Sequence, residues 1–222
     1  RTVVSIREVS SAAERVANGD YEGLLPVKTR DEVGELKRSF NAMVQQLKDR
    51  MEMKQAMSLA MEVQQNLLPK NMPLVKGLDI AARSIYCDET GGDLYDFLEV
   101  DNGNGGRIGI VVGDVSGHGI PAALLMATVR AFLKSRVTQP GSPVEIISDV
   151  NRLITYDTGD TGQFMTLFYA VFDTGNKELQ WVRAGHDPAI FYDPAKDEFK
   201  ELNGYGMALG LDGKFKYREN ML

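Results

Sequence analysis

The sequence predicts an α+β protein whose first third is helical and whose remainder combines antiparallel strands with helices. In the first fifty residues, apolar side chains recur every three or four positions, which is the period of an amphipathic helix. Further on, β-branched and aromatic runs are separated by Gly- and Asn-rich turns, a pattern typical of hairpins. Helical segments stand between these hairpins, which favours a layered α+β fold over a parallel doubly wound one.

Two amphipathic helices begin the chain, with Thr29 or Asp31 as the predicted cap of the second. A lone pair of short helices is marginal in water, so we expect a dimer that forms a four-helix bundle. Their predicted apolar seam consists of Ile6, Val9, Ala13 and Val16, followed by Val33, Leu36, Phe40, Met43 and Leu47.

From Met51 to Leu68 the composition stays helical, but the seam positions continued from Leu47 fall on Arg50 and Lys54, so the coiled-coil register weakens there. Prolines at 69 and 73 end the helix, and a domain boundary is expected near residues 69–76.

The remainder alternates strands and helices. Pro121 to about Lys134 is predicted to be helical, and a capping box at residues 142–145 opens another helix. The predicted strands are residues 78–86, 94–100, 107–113, 164–173 and 178–184. The second of these helices is expected to bury Ile146, Ile147, Val150, Leu153 and Ile154.

The first hairpin predicts where two acidic residues meet. A turn centred between Gly103 and Asn104 places Asp93 directly opposite Asp114. Directly opposed side chains have Cβ atoms only about 4.5–5.5 Å apart. Two carboxylates at that distance repel each other unless a proton or a cation lies between them, and oxygen ligands favour Mg²⁺ or Mn²⁺. The sequence therefore predicts a metal-dependent enzyme.

The simpler interpretation is that each aspartate is a solvated turn residue. The metal interpretation is favoured because two glycine-flanked acids meet in one register. Such a site has a clear chemical use, since two cations that share a water can direct it at phosphorus. His118 and His186 lie in Gly-rich turns and are interpreted as structural. A second hairpin with its turn at 174–177 places Thr166 opposite Gly185 and His186 near Met165.

Four segments resemble, in order, the motifs of PPM-type serine/threonine phosphatases, in the bacterial branch typified by stage II sporulation protein E. The segments are residues 91–97 (GGDLYDF), 113–122 (GDVSGHGIPA), 164–169 (FMTLFY) and 184–188 (AGHDP), and the resemblance covers about residues 62–222. It implies an α-β-β-α sandwich, two Mn²⁺ or Mg²⁺ ions, and a phosphoserine or phosphothreonine protein substrate, commonly an anti-anti-sigma factor. It also implies that the Asp93 and Asp114 carboxylates and the Val115 carbonyl are metal ligands, and that both aspartates are catalytic.

The family pattern continues to a Thr-Asp-Gly motif and a last aspartate, which the resemblance would place after Leu222, so residues 76–222 are expected to form an incomplete sandwich. The expectation is that these 222 residues alone bind metal weakly and are inactive.

The N-terminal third resembles a HAMP domain, a parallel dimeric bundle that follows a membrane helix in bacterial receptors. The similar segments are residues 19–20 (GD), 31–36 (DEVGEL) and 40–43 (FNAM), although Thr2 replaces the usual proline. The resemblance implies a homodimer through the HAMP and linker helices. It also implies the cytoplasmic portion of an inner-membrane protein, reaching the membrane only through segments absent from this chain.

The predicted organisation is a HAMP domain at 1–50, a signalling linker helix at 51–75 and a phosphatase domain at 76–222. The leading function is a signal-regulated phosphoprotein phosphatase. The alternative is a non-catalytic dimeric signalling adaptor whose phosphatase-like domain only binds a partner. A cyclic-dinucleotide cyclase, suggested by Gly-Gly-Asp alone, is disfavoured because Leu94-Tyr95 replaces the expected Glu-Phe.

Composition excludes other classes. The formal net charge is −6, from 25 basic and 31 acidic residues, and nucleic acid is therefore not an expected partner. With one cysteine, Cys87, and two histidines, neither an internal disulfide nor a zinc site is expected.

Overall fold

The structure, a computed structural model, describes residues 2–85, 91–100 and 106–222. It divides into two compact units, Arg1–Leu59 and Ala60–Leu222. Within the described residues, no helix combines the length and the apolar character that a bilayer span requires. In chain order the elements are α1 (Thr2–Ala17), α2 (Glu32–Leu67), β1 (Leu94–Glu99), β2 (Arg107–Val115), α3 (Ile120–Arg136), α4 (Pro143–Thr158), β3 (Met165–Asp173), β4 (Glu178–Ala184), β5 (Ala189–Asp193), β6 (Glu198–Leu202) and β7 (Asn220–Met221).

The first unit has a small core of its own. Its buried side chains are Ala12, Leu25, Phe40 and Val44, with Val9, Val16 and Tyr21 packed against them. The connector between the helices is fixed by Asn41, whose side chain accepts the Leu25 N–H at 2.8 Å and donates to the Leu25 carbonyl at 2.9 Å. Only part of the predicted seam contributes to this core. Ile6, Leu36 and Met43 belong to the seam but are exposed.

The second helix begins as predicted, with Asp31 acting as the cap. The Asp31 carboxylate accepts the Gly34 N–H at 3.0 Å and the Thr29 hydroxyl at 2.6 Å. Position 34 must be glycine, because a Cβ there would overlap the Thr29 carbonyl oxygen. The helix ends at Leu67, two residues before the predicted stop at Pro69.

The second unit contains a five-stranded antiparallel sheet in the order β1-β2-β3-β4-β7. In the first hairpin Leu94 pairs with Gly113 and Glu99 with Ile108, which confirms the predicted register, although the turn at 101–105 lies outside the described residues. In the second hairpin Asp173 pairs with Glu178, as predicted. At its open end Leu167, not Thr166, forms the bridge to Gly185.

Helices α3 and α4 pack against one face of this sheet and enclose the main core. The predicted capping box is present, since the Ser142 hydroxyl accepts the Glu145 N–H and the Glu145 carboxylate accepts the Ser142 N–H at 2.7 Å. Of the five side chains expected to be buried on α4, four are buried. Leu153 is 45% exposed, because it lies at the edge of the apolar stripe rather than in it.

The opposite face of the sheet is partly covered by the separate β5–β6 hairpin, which the sequence analysis did not predict. Leu202 packs there against Phe168, Ala170 and Trp181. Both strands are short and largely exposed, so their sequences lack the alternation that identifies a half-buried strand. This arrangement of helices, main sheet and second hairpin is the mixed layered fold that the sequence predicted.

The predicted strand at 78–86 is wrong for the residues described, 78–85, which are irregular. None of the described residues 78–85 pairs with a strand of the sheet. Leu78 and Ile80 line one side of an open cavity of about 360 Å³, whose other side includes Tyr95, Phe97 and Val112. Its apolar residues therefore cover the face of the sheet instead of extending its edge.

Candidate metal centre

Asp93 and Asp114 meet at the open end of the first hairpin. Asp93 immediately precedes β1, and Asp114 is the penultimate residue of β2. The pairing continues past them, since the Val115 N–H donates to the Gly92 carbonyl at 3.3 Å. The register therefore brings the Asp93 and Asp114 side chains close together, as predicted.

This proximity has an electrostatic cost. Partial burial and the neighbouring charge of Asp93 raise the pKa of the Asp114 carboxyl above its ordinary value, while His186 acts in the opposite direction. Ionising both aspartates therefore costs more free energy here than ionising either one alone in water.

Gly92 allows this approach. A Cβ at position 92 would stand 2.8 Å from the Cβ and 2.9 Å from the carbonyl oxygen of Val115. The Val115 side chain is buried in the main core. The Val115 Cβ and its backbone carbonyl both lie beside the segment leading to Asp93.

Thr166 and His186 support the Asp114 strand from the other side. Thr166 is the partner of Asp114 across β2 and β3, and its hydroxyl lies 3.3 Å from the Asp114 carbonyl and 2.8 Å from His186 Nδ1. Burial lowers the pKa of His186, while the charges of Asp187 and Asp114 oppose that shift. Arg183 Nε donates to the His186 carbonyl and fixes the turn.

The hairpin register predicted from the sequence places His186 near Met165, but it does not predict the hydrogen bond between Thr166 and His186. His186 is held by partners, in agreement with a structural interpretation. His118 is exposed instead, between two glycines with positive φ.

The donor set fits a divalent cation. The described part of the chain contains no group of three or more His, Cys, Asp or Glu residues arranged to hold a metal. It does bring two carboxylates together beside a backbone carbonyl, and a cation relieves their repulsion. Hard oxygen donors of this kind match Mg²⁺ or Mn²⁺ better than zinc.

Fold and site together define a PPM-type phosphatase domain that follows a signalling module. The HAMP domain model matches residues 1–49. The model described as Stage II sporulation protein E (SpoIIE) matches residues 104–222, more than half of the chain, and the chain belongs to that family. Asp114 and Val115 lie within the matched residues, and Asp93 precedes them.

Two relatives from Bacillus subtilis (strain 168) are phosphoserine phosphatases by name. RsbU is 30% identical over 168 residues, which cover 76% of this chain and 49% of RsbU. RsbP is 30% identical over 145 residues, which cover 63% of this chain and 34% of RsbP. The chain thus spans half or less of the length of these relatives.

The fold agrees with solved structures. The SiaA-PP2C domain of Pseudomonas aeruginosa has a TM-score of 0.59 at 21% identity, covering 78% of this chain and 68% of that one. The PP2C phosphatase domain of SpoIIE from Bacillus subtilis has a TM-score of 0.52 at 16% identity, covering 60% and 38%.

Proposed function

We propose that this chain belongs to a signal-regulated protein phosphatase that hydrolyses phosphoserine or phosphothreonine on a bacterial regulator of the anti-anti-sigma type. The observation that carries the proposal is the hairpin register, which places Asp93 and Asp114 beside each other at the end of β1 and β2. The names of RsbU and RsbP support the reaction class.

The Asp93 and Asp114 carboxylates and the Val115 carbonyl are the groups that would hold Mn²⁺ or Mg²⁺. When bound, two such ions supply an acidified water and neutralise phosphate charge. The chain's own residues supply the framework. Gly92 lets the two carboxylates approach, and Thr166 holds the Asp114 backbone through its hydroxyl. This arrangement needs no covalent nucleophile from the protein.

The test is phosphate release from a phosphoserine protein by the intact protein with Mn²⁺ present. Asp114→Asn is expected to lower kcat/KM by about a hundredfold or more, because mutating even the partners that orient metal ligands costs roughly 10–100-fold. Asp160→Asn, at an exposed residue after α4, is the matched control and should leave the rate unchanged. Full activity in Asp114→Asn would contradict the proposal.

A non-catalytic adaptor is the second candidate, and it is favoured by the small number of acidic donors that the described residues bring together. In that case the intact protein would bind its regulator, release no phosphate, and respond to neither aspartate substitution.

We also propose a homodimer through the HAMP and linker helices, with residues 1–50, 51–75 and 76–222 as the three segments. The support is that three apolar side chains of the predicted seam, Ile6, Leu36 and Met43, are 53%, 46% and 46% exposed. Because HAMP domains are typical of membrane-linked sensors, we propose that the chain is the cytoplasmic part of an inner-membrane protein.

A further inference from the structure

An open cleft lies between helix α4 and the loop at residues 213–217. Ser148 and Arg152 line it from the helix, and Lys214 and Lys216 line it from the loop. We call it the basic cleft. Its volume of about 410 Å³ lies within the usual range of ligand-binding clefts. None of the four residues belongs to the candidate metal centre, so the cleft is a separate feature of the second unit.

A buried side chain fixes the start of this loop on the helix. Asn151 of α4 is fully buried, and its Nδ2 donates to the Asp212 carbonyl at 2.7 Å. Its Oδ1 accepts the Gly210 N–H at 3.0 Å. Both polar ends of one amide therefore hold the loop backbone, and the wall of the cleft is formed before any ligand binds.

The loop then alternates aromatic and basic side chains. Phe215 packs against the main core, and Tyr217 is buried in it. The Tyr217 hydroxyl donates to the Met207 carbonyl at 3.0 Å. Because the aromatic residues point into the core, the intervening Lys214 and Lys216 stay exposed to solvent. The two ammonium groups are thus presented by an anchored segment.

The acidic residues around the cleft are already engaged. Glu145 is used in the capping box of α4, and the Asp212 carboxylate accepts the Lys214 backbone N–H at 2.9 Å. Asp149 is shared by two guanidinium groups, which lie at 2.7 and 2.9 Å and belong to Arg136 and Arg152.

The two lysine side chains are different. Neither the Lys214 nor the Lys216 ammonium forms an ion pair with another described residue. The chain as a whole has a formal net charge of −6, so this pair of unengaged cations is a local exception. Ammonium and guanidinium groups beside a cleft match carboxylates of a partner.

The cleft lies within reach of the metal-centre end of the sheet. Leu209 exchanges two backbone hydrogen bonds with Met165, at 2.8 and 3.0 Å, and Met165 is the strand partner of Val115. Lys214 follows Leu209 by five residues, which span at most about 18 Å of extended chain. A folded protein partner is wide enough to contact both places at once.

We propose that the basic cleft docks an acidic segment of the protein substrate while its phosphorylated side chain lies at the metal centre. The inference rests on the proposed function, because it names a feature of that function's substrate. An anionic membrane is the competing occupant. It is disfavoured because membrane-surface sites combine basic residues with an apolar face that enters the lipid, whereas Phe215 and Tyr217 are turned into the core.

The first test is binding of a fluorescein-labelled peptide of alternating Glu and Gly to the intact protein, followed by fluorescence anisotropy. Lys214→Glu with Lys216→Glu should raise the Kd about tenfold or more, because two attractions become repulsions. Lys214→Gln with Lys216→Gln removes the attraction alone and should give an intermediate Kd.

The matched control has the same change in net charge elsewhere. Lys196→Glu with Lys200→Glu, at exposed positions of the β5–β6 hairpin, should bind the peptide as the wild type does. Equal Kd values for the two charge-reversed proteins would overturn the inference, because the peptide would then respond only to total charge.

The second test uses turnover with Mn²⁺ present. Two phosphoserine peptides are compared, one with a tail of alternating Glu and Gly and one with Gln in place of Glu. The wild type should show a KM about tenfold lower for the Glu peptide, and Lys214→Glu with Lys216→Glu should abolish that preference. The Lys196→Glu with Lys200→Glu control should keep it.

The outcomes separate the two levels of the proposal. A wild type that hydrolyses neither phosphoserine peptide overturns the proposed function. Hydrolysis with equal KM values for the two peptides overturns only the docking role of the cleft. Binding to phosphatidylglycerol vesicles that requires Lys214 and Lys216, without any effect of these residues on the Glu peptide, assigns the surface to lipid and also overturns the inference.

Discussion

At the scale of single residues, the contact between Asp93 and Asp114 could be predicted because a hairpin register follows from its turn. The sequence could not predict the side-chain contacts that surround this pair of aspartates. Thr166 and His186 meet because of how the second hairpin ends. Such contacts depend on tertiary placement, which local sequence patterns do not contain.

Tyr169 offers a residue-scale test of the core. Its side chain is fully buried, and its hydroxyl has no hydrogen-bond partner among the described residues. An unpaired buried hydroxyl costs free energy, so Tyr169→Phe should raise the free energy of unfolding by about 1 kcal/mol. Urea unfolding followed by Trp181 fluorescence measures this in the second unit. A loss of more than about 1 kcal/mol would show that the hydroxyl is satisfied.

The same residue predicts a response to alkaline pH. Burial raises the pKa of Tyr169 to about 12 from its ordinary value of 10.0. The folded state therefore keeps its proton where the unfolded chain loses it, so the stabilisation is complete below pH 10 and is lost as the pH rises through about 12. Between pH 10 and about 12, the free energy of unfolding of Tyr169→Phe should therefore decline less steeply than that of the wild type. Equal slopes would contradict the burial of an ionisable phenol.

At the scale of elements, helices and hairpins with strong local signals were predicted well. The capping box and the two turns each contain residues that favour one local geometry. The failures have a tertiary cause. Residues 78–85 are apolar enough for a strand but cover a sheet face, and β5–β6 is too exposed to show alternation.

The ion pair between β1 and α3 gives an element-scale prediction. The Asp96 carboxylate is buried and lies 2.8 Å from Arg130 Nε and 3.4 Å from Lys134 Nζ. Arg130→Met leaves a buried carboxylate without its main partner and should cost about 3 kcal/mol of unfolding free energy. The double variant Asp96→Leu with Arg130→Met removes both charges and should recover most of that loss. A double variant less stable than Arg130→Met would contradict this account.

At the scale of the whole molecule, the HAMP module and the phosphatase domain were both predictable from ordered motifs, and the comparisons confirm them. The sequence could not predict which apolar residues of the first two helices are buried and which are exposed. The same helical period is expected for residues that pack within one chain and for residues that pack between chains. Ile6, Leu36 and Met43 are seam residues among the apolar side chains of the first unit that stay exposed.

The proposed dimer predicts that a charge at one of these exposed seam residues weakens dimerisation. Leu36→Glu buries a carboxylate in the dimer and should raise the dimer dissociation constant at least about tenfold, measured by sedimentation equilibrium. Arg38→Glu, at an exposed position of the same helix outside the predicted seam, is the control and should dimerise as the wild type does. Equal dissociation constants for the two variants would place the interface elsewhere.

The central claim is that Asp93 and Asp114 are held together to bind a divalent cation. The most direct measurement is the free energy of unfolding of the intact protein with and without Mn²⁺, for the wild type and for Asp93→Asn. At a Mn²⁺ concentration one hundred times its Kd, the wild type should gain about 2.7 kcal/mol. Asp93→Asn should gain little from the metal but should be at least as stable as the wild type without it, because the like charge is gone. Equal stabilisation of both proteins by Mn²⁺ would contradict the account.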